Sequence, residues 1–222
     1  IPIANISMEE TVAYSQQLAQ RVGDELGISV FLYESSATDP RWKNLANIRA
    51  GEYEKMGSKL QTDQFVPDHG PSQLNERAGV TAIGARDFLI AYNVNLNTTS
   101  TRRANSVAFD VREAGRIKRE GHPVKGIGWY IEEYGIAQVS MNLTDIQQTP
   151  LHEVFEACVA SAQARGLRVT GSELVGLMPL SVLLDAGKYF LQKQQRSVGI
   201  EEAEIIKIAV KSMGLEEVGP FD

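Results

Sequence analysis

Residues 68–96, DHGPSQLNERAGVTAIGARDFLIAYNVNL, couple a polar loop to an apolar run. Pro67, Gly70, Pro71, Gly79 and Gly84 punctuate the first part, and Phe88, Leu89, Ile90, Ala91, Tyr92 and Val94 make up the second. Glycines let a backbone come close to a ligand and adopt dihedrals that other residues resist. A loop carried to the end of a buried strand is where binding groups concentrate. This loop has no phosphate-binding spacing, so its pattern alone also suits a plain connection. His69, His122 and His152 are the three histidines, the side-chain type that moves protons near neutral pH. His152 falls in the first turn of a predicted helix, a structural position. Arg112, Arg116, Lys118, Arg119 and Lys125 form a basic run across a predicted helix end, where cations favour the negative end of the helix dipole. No pair of His, Asp or Glu has a metal-site spacing, so no metal is expected.

The elements that must position these residues follow from periodicity. Ser7 and Glu10 have the spacing of a capping box. Val12, Ser15, Leu18, Val22 and Leu26 then recur at helical intervals, and Gly27 stops the helix. Residues 28–33, ISVFLY, read as a buried strand. Residues 34–86 read as a long irregular connection, with short helices around 45–48 and 52–60. A strand over 88–96 precedes a helix over 99–114, with Ala104, Val107, Ala108 and Val111 on one face. Strands over 126–133 and 136–143 are predicted to join in a tight hairpin at Tyr134-Gly135. Pro150 opens a helix, whose inner face carries Leu151, Val154, Phe155, Cys158 and Ala162. Gly166 ends it before a strand over 167–175. This order is the split β-α-β-β-α-β unit. Helices over 179–194 and 200–213 follow, with Met178, Leu180, Leu183 and Leu184 as core. The predicted class is α+β, with ferredoxin-like units in two subdomains, 1–86 and 87–222, the first of them incomplete in this chain.

Composition bounds the function classes. The 222 residues carry 43% hydrophobic and 23% charged side chains, ordinary for a globular protein. The net charge of −6 gives no support to nucleic-acid binding, which leaves a basic footprint. Cys158 is the only cysteine, so there is no internal disulfide. That fits a reducing, cytoplasmic setting. No apolar run reaches the length of a membrane span, and the start has no signal-peptide pattern.

Five blocks in order, IRAGEYEKM, VPDHGPS, GARDFLIAYNVNL, KGIGWYIEEYGIAQVSMNL and GSELVGLMPLSVLLDA, together resemble the formiminotransferase domain family. The resemblance runs along nearly the whole chain, and no part of it resembles a cyclodeaminase domain. It implies two split units with a substrate tunnel between them. It also implies a His-Pro-Arg motif, with the family's catalytic histidine, in a segment upstream of the one Ile1 matches. The chain is therefore expected to be a piece of a longer polypeptide, or one part of a split or cleaved one, with no catalytic residue of its own. His122-Pro123 is similar to that dipeptide but lies in another block and continues Val-Lys-Gly.

The activity implied is transfer of the formimino group of N-formimino-L-glutamate to N5 of tetrahydrofolate in histidine degradation. Tetrahydrofolate is a co-substrate, and no metal or redox cofactor is implied. The implied folate segment is Gly70, Pro71, Ser72, Gln73, Leu74, Asn75, Glu76, Arg77, Ala78 and Gly79. Its middle departs from the aromatic, proline-containing mammalian version. Within it Ser72 and Asn75 are assigned to the pterin. Arg77 is either near a ligand carboxylate or solvated. His69 adjoins this segment, either touching ligand or bonding its neighbours. Glu173 stands where the mammalian family has a glutamine of the pterin tunnel, or is a surface residue at a strand end. Gly126-Ile127-Gly128-Trp129 resembles a family block that either approaches a flat ring or places Trp129 in the core. The basic run either caps a helix or attracts the glutamate tail of folate. A homodimer is also implied. The alternatives are formyl transfer between 5-formyltetrahydrofolate and glutamate, and a non-catalytic folate-binding or dimerisation module, since fold alone does not dictate function.

Overall fold

The structure is a computed structural model that describes residues 5–112 and 124–221. His122, Arg116, Lys118 and Arg119 lie outside the described residues. The chain forms two compact units, Ile1–Asp87 and Phe88–Asp222, with mixed helices and strands of the α+β class.

In the first unit, helix α1 (Met8–Leu26) starts on the expected capping box. The Glu10 amide donates to Ser7 Oγ at 3.2 Å, and the Ser7 amide donates to Glu10 Oε2 at 2.9 Å. Its buried stripe only partly follows the predicted one: Ser15 is buried and Val22 packs against the unit's core, but the rest differs. Thr11, Ser15, Ala19 and Gly23 face inward, while Leu18 and Leu26 are exposed. The reason is distance: a β-carbon on Gly23 would stand 2.6 Å from the Gly70 amide nitrogen. A helix pressed this closely against another segment needs small side chains, which a search for apolar periodicity overlooks.

Strand β1 (Ser29–Glu34) follows, then a 3₁₀ turn (Pro40–Lys43) and helices α2 (Leu45–Arg49) and α3 (Glu52–Leu60). Phe31, Trp42 and Phe65 meet with ring centroids 4.5 to 5.8 Å apart, closed in by Ile48, Met56 and Leu60. The two short helices expected within residues 34–86 are present as α2 and α3, but the segment is more ordered than an irregular connection. It ends in a strand the sequence did not betray, β2 (Val80–Ala85), paired parallel with β1 from Ser29↔Val80 to Glu34↔Ala85. Its VTAIGA sequence is rich in small residues, and a parallel pairing is fixed by a distant partner rather than by local pattern.

The second unit is the split unit the element order predicted. Strands β3 (Ile90–Leu96), β4 (Val124–Ile131), β5 (Ile136–Leu143) and β6 (Val169–Val175) form an antiparallel sheet of order β4-β5-β3-β6. Helix α4 (Thr101–Val111) lies between β3 and β4 in sequence, and α5 (Leu151–Gln163) between β5 and β6. Ile90, Tyr92, Val94 and Leu96 alternate onto one face with Ala137, Val139, Met141 and Leu143. They pack there with Ala104, Val107 and Ala108 of α4 and with Val154, Phe155 and Cys158 of α5. Helices α6 (Leu180–Lys193) and α7 (Glu202–Met213) add Leu183, Phe190, Ala209 and Met213. Leu180, expected in the core, is exposed at the first position of α6. No helix among the described residues is long and apolar enough to cross a membrane.

Two local expectations change. The β4–β5 ladder closes at Ile131↔Ile136, so the hairpin has a wider loop over 132–135 in place of a two-residue turn. The Gly135 amide, at φ 65°, donates to Ile131 O at 2.9 Å. Pro150 is the N-cap of α5 with an extended ψ of 138°, one position before the first turn.

Gly128 seats α4. Asn105 of that helix accepts from the Gly128 amide at 2.9 Å and donates to its carbonyl at 3.1 Å. A β-carbon there would collide with the Asn105 amide nitrogen and the Ala104 carbonyl carbon. Gly128 of the GIGW block therefore admits a helix. Gly128→Ala should force α4 off the sheet and cost about 1–3 kcal/mol, the usual penalty for overpacking. Urea unfolding measures this, and an unchanged midpoint would mean α4 is not seated on Gly128.

Candidate functional site

Because strand side chains alternate, the residues between those core positions lie on the sheet face opposite α4 and α5. Two ranks cross the sheet there. One is Ile127, Ser140, Asn93 and Glu173; the next is Trp129, Gln138, Asn95 and Gly171. Asn95 and Gln138 are 0% exposed. Buried amides must be hydrogen-bonded or they destabilise the fold, and these are. Gln138 Nε2 donates to Asn95 Oδ1 at 2.6 Å and to Glu173 Oε2 at 3.2 Å. Asn93 Nδ2 donates to the same Glu173 oxygen at 3.1 Å. Asn95 Nδ2 donates to Glu217 Oε2 at 2.6 Å. Trp129 Nε1 donates to Gln138 Oε1 at 3.2 Å.

The direction of this network is determined by its ends. An indole N–H only donates and an ionised carboxylate only accepts. Trp129 therefore fixes the oxygen of Gln138, and Glu173 and Glu217 fix the nitrogens of Gln138, Asn93 and Asn95. Both of the donors described for Glu173 use Oε2. Trp129 is 44% exposed. It stands on the same face as Ile127 and Val175, which are also exposed. The face thus offers fixed polar acceptors bordered by apolar and aromatic surface, the usual make-up of a small-molecule site. Trp129 is not the core residue that strand alternation also allowed.

The loop at 70–79 lies in the first unit, and the structure shows what holds it. Gly70 takes φ 79°, and a β-carbon there would collide with the Ile28 carbonyl. Ser29 Oγ donates to Pro71 O at 2.6 Å. Asn75 Oδ1 accepts from the Arg77 and Ala78 amides, both at 3.0 Å, and Asn75 O accepts from the Gly79 amide at 2.6 Å. Tyr53 donates to Glu76 O at 3.0 Å, and Leu74 packs on the Phe31 cluster. The Asn75 oxygen is thus committed to its own turn. Ser72, Gln73 and Arg77 are exposed.

The preceding Asp68-His69 closes strand β1. His69 O accepts from the Val30 amide at 2.9 Å. Asp68 accepts from the Leu32 amide at 2.7 Å and from the Thr38 hydroxyl. This loop feeds β2, not the apolar run of β3 directly. Glu173 belongs to the second unit, as does His152. The His152 ring stacks on Tyr189 with centroids 4.3 Å apart, and burial pushes its pKa below the ordinary histidine value. Burial pushes the Cys158 thiol up to about 12, which removes it as a nucleophile. Arg112 places its guanidinium over Phe109 at 4.7 Å.

Residues 91–222 match the family description "Formiminotransferase domain", and 1–86 match "Formiminotransferase domain, N-terminal subdomain". The chain belongs to the formiminotransferase domain family. It is 44% identical over 225 residues to a formimidoyltransferase-cyclodeaminase of Gallus gallus, covering 100% of this chain and 41% of that one. The corresponding Dictyostelium discoideum protein is 42% identical, with 100% and 42% covered. A glutamate formimidoyltransferase of Streptococcus pyogenes serotype M1 is 42% identical over 192 residues, with 86% and 63% covered. The chain thus spans about two fifths of the length of the formimidoyltransferase-cyclodeaminases it matches.

Asn93, Asn95, Gln138 and Glu217 escaped the sequence reading. The signal was present in IAYNVNL and IAQVSMNL. In both strands the second periodic face carries Asn, Gln and Ser instead of Lys or Glu, as a covered polar face does and a solvated one does not. Replacing Gln138 by Leu keeps the volume and leaves Asn95 Oδ1 without its donor. The expected loss is about 1–3 kcal/mol, read by chemical denaturation. A variant as stable as the parent would show that the network does not hold this face.

Proposed function

We propose that this chain carries the folate-binding part of a glutamate formimidoyltransferase. It would act on N-formimino-L-glutamate and tetrahydrofolate. In the reaction, N5 of tetrahydrofolate attacks the amidine carbon of the formimino group and forms a tetrahedral intermediate. The bond from that carbon to the glutamate nitrogen then breaks, and the departing amine gains a proton. The chemistry asks for a site that holds a flat, N–H-rich heterocycle in one orientation. Glu173 suits that edge because an ionised carboxylate only accepts. Trp129 supplies an aromatic wall beside it. The observation that carries the reading is this acceptor-ended network in a chain that matches the formiminotransferase domain over both units.

Within the first unit, Ser72 and Arg77 of the exposed loop at 70–79 are assigned ligand contacts, Arg77 toward a carboxylate. Neither described histidine is assigned the proton transfer. The His152 ring is stacked on Tyr189. We assign that step to a histidine outside these 222 residues. A homodimer and a cytoplasmic setting belong to the same reading and rest on family membership.

The test is an assay of the full-length protein with N-formimino-L-glutamate and tetrahydrofolate, following 5-formiminotetrahydrofolate. Product is expected. Glu173→Ala should raise the KM for tetrahydrofolate about tenfold, the order expected when one charged hydrogen-bond acceptor is lost, and Glu173→Gln should raise it less. A folded protein that forms no product would overturn the reading.

A further inference from the structure

The turn after α7 reaches back across the edge strand β6. Ser172 of β6 is clasped from both ends: its amide donates to Gly214 O at 2.9 Å and its hydroxyl to Met213 O at 2.7 Å. This clasp sets the following residues over Gly171, where a β-carbon would collide with Glu217 Oε2 and stand 2.7 Å from Gly214 O. The bare backbone of Gly171 is therefore the gap through which the Glu217 carboxylate reaches Asn95. Glu217 is an exposed residue, yet its carboxylate meets a side chain that is wholly buried. An exposed glutamate that served only solubility would need neither the gap nor the clasp.

We infer that Glu217 is a positioning residue for the polar sheet face. It stands at one end of a directed chain: Trp129 donates to Gln138, Gln138 to Asn95, and Asn95 to Glu217. The carboxylate accepts at one end and the indole donates at the other, so every amide between them has one sense. Hydrogen bonds in such a chain polarise one another. Gln138 also holds Glu173, so Glu217 acts on the acceptor edge through two amides and touches no ligand. That this edge meets a ligand rests on the function proposed above. The chain itself does not.

The readout is therefore independent of catalysis. The protein has two tryptophans, Trp42 and Trp129, and Trp42 is buried in the first unit's aromatic core. In the ¹⁵N-labelled chain without substrate, Glu217→Leu keeps the size and removes the acceptor. It should move the Trp129 indole N–H resonance and leave that of Trp42 in place. Glu217→Gln, which keeps an acceptor oxygen, should return the resonance most of the way. In the full-length enzyme, Glu217→Leu should raise the KM for tetrahydrofolate about tenfold, from the lost orientation of one buried hydrogen-bonding group. Should Glu217→Leu fail to fold, Gly171→Ala displaces the carboxylate without deleting it and should move the same resonance. A Trp129 resonance that stays put in either folded variant overturns the inference, whatever the activity does. Absence of formimino transfer in the parent protein would instead strike at the proposed function and leave the resonance test standing.

Discussion

Gln138 sits fully buried in the middle of a sheet face, and a buried primary amide must satisfy one acceptor and two donors or destabilise the fold. That requirement organises the second unit. The oxygen is met by the Trp129 indole, and the nitrogen by Asn95 and Glu173. Together these need an exact register across four strands, β4 to β5 to β3 to β6. A slip of one residue in β3 or β5 would send a leucine or valine into the polar face and an amide into the core. The polar network thus specifies the pairing of the sheet as firmly as the apolar face does. It also fixes the Glu173 carboxylate on one side of the sheet.

The two faces divide the work. One carries the core, with Tyr92, Val94 and Val139 against α4 and α5. Gly128 lets α4 lie directly on the strand, which draws the sheet and helix layers close. The other face is held by hydrogen bonds whose directions are set at Trp129, Glu173 and Glu217. In the first unit a comparable economy operates on the backbone. Gly70 fits against Ile28, Ser29 ties Pro71, and Asn75 closes its own turn. The exposed side chains of that loop, Ser72 and Arg77, are presented on a braced main chain.

How much was legible in the sequence depended on whether a signal was local. The capping box at Ser7 and Glu10, the inner face of α5 and the β-α-β-β-α-β order were readable because spacing alone encodes them. The face of α1 was partly misread because its packing selects Thr11, Ala19 and Gly23 for smallness instead of apolarity. Strand β2 was missed because its partner β1 lies some fifty residues away and VTAIGA has weak periodicity of its own. Of the candidate site, Glu173 and the loop at 70–79 came from family resemblance. Asn95 and Gln138 were visible as polar residues at alternate positions in strands. That they bond each other is a fact of register, which one strand's sequence does not contain. Glu217 was out of reach, since it comes to the sheet by a turn more than forty residues beyond the strand it crosses.

The most direct test of this account is a titration of the ¹⁵N-labelled chain with tetrahydrofolate, following the side-chain amide resonances of Asn93, Asn95 and Gln138. If the polar sheet face is the ligand face, all three should shift together and saturate at one ligand concentration. Saturable binding that leaves these amides unmoved would place the ligand elsewhere and contradict the account.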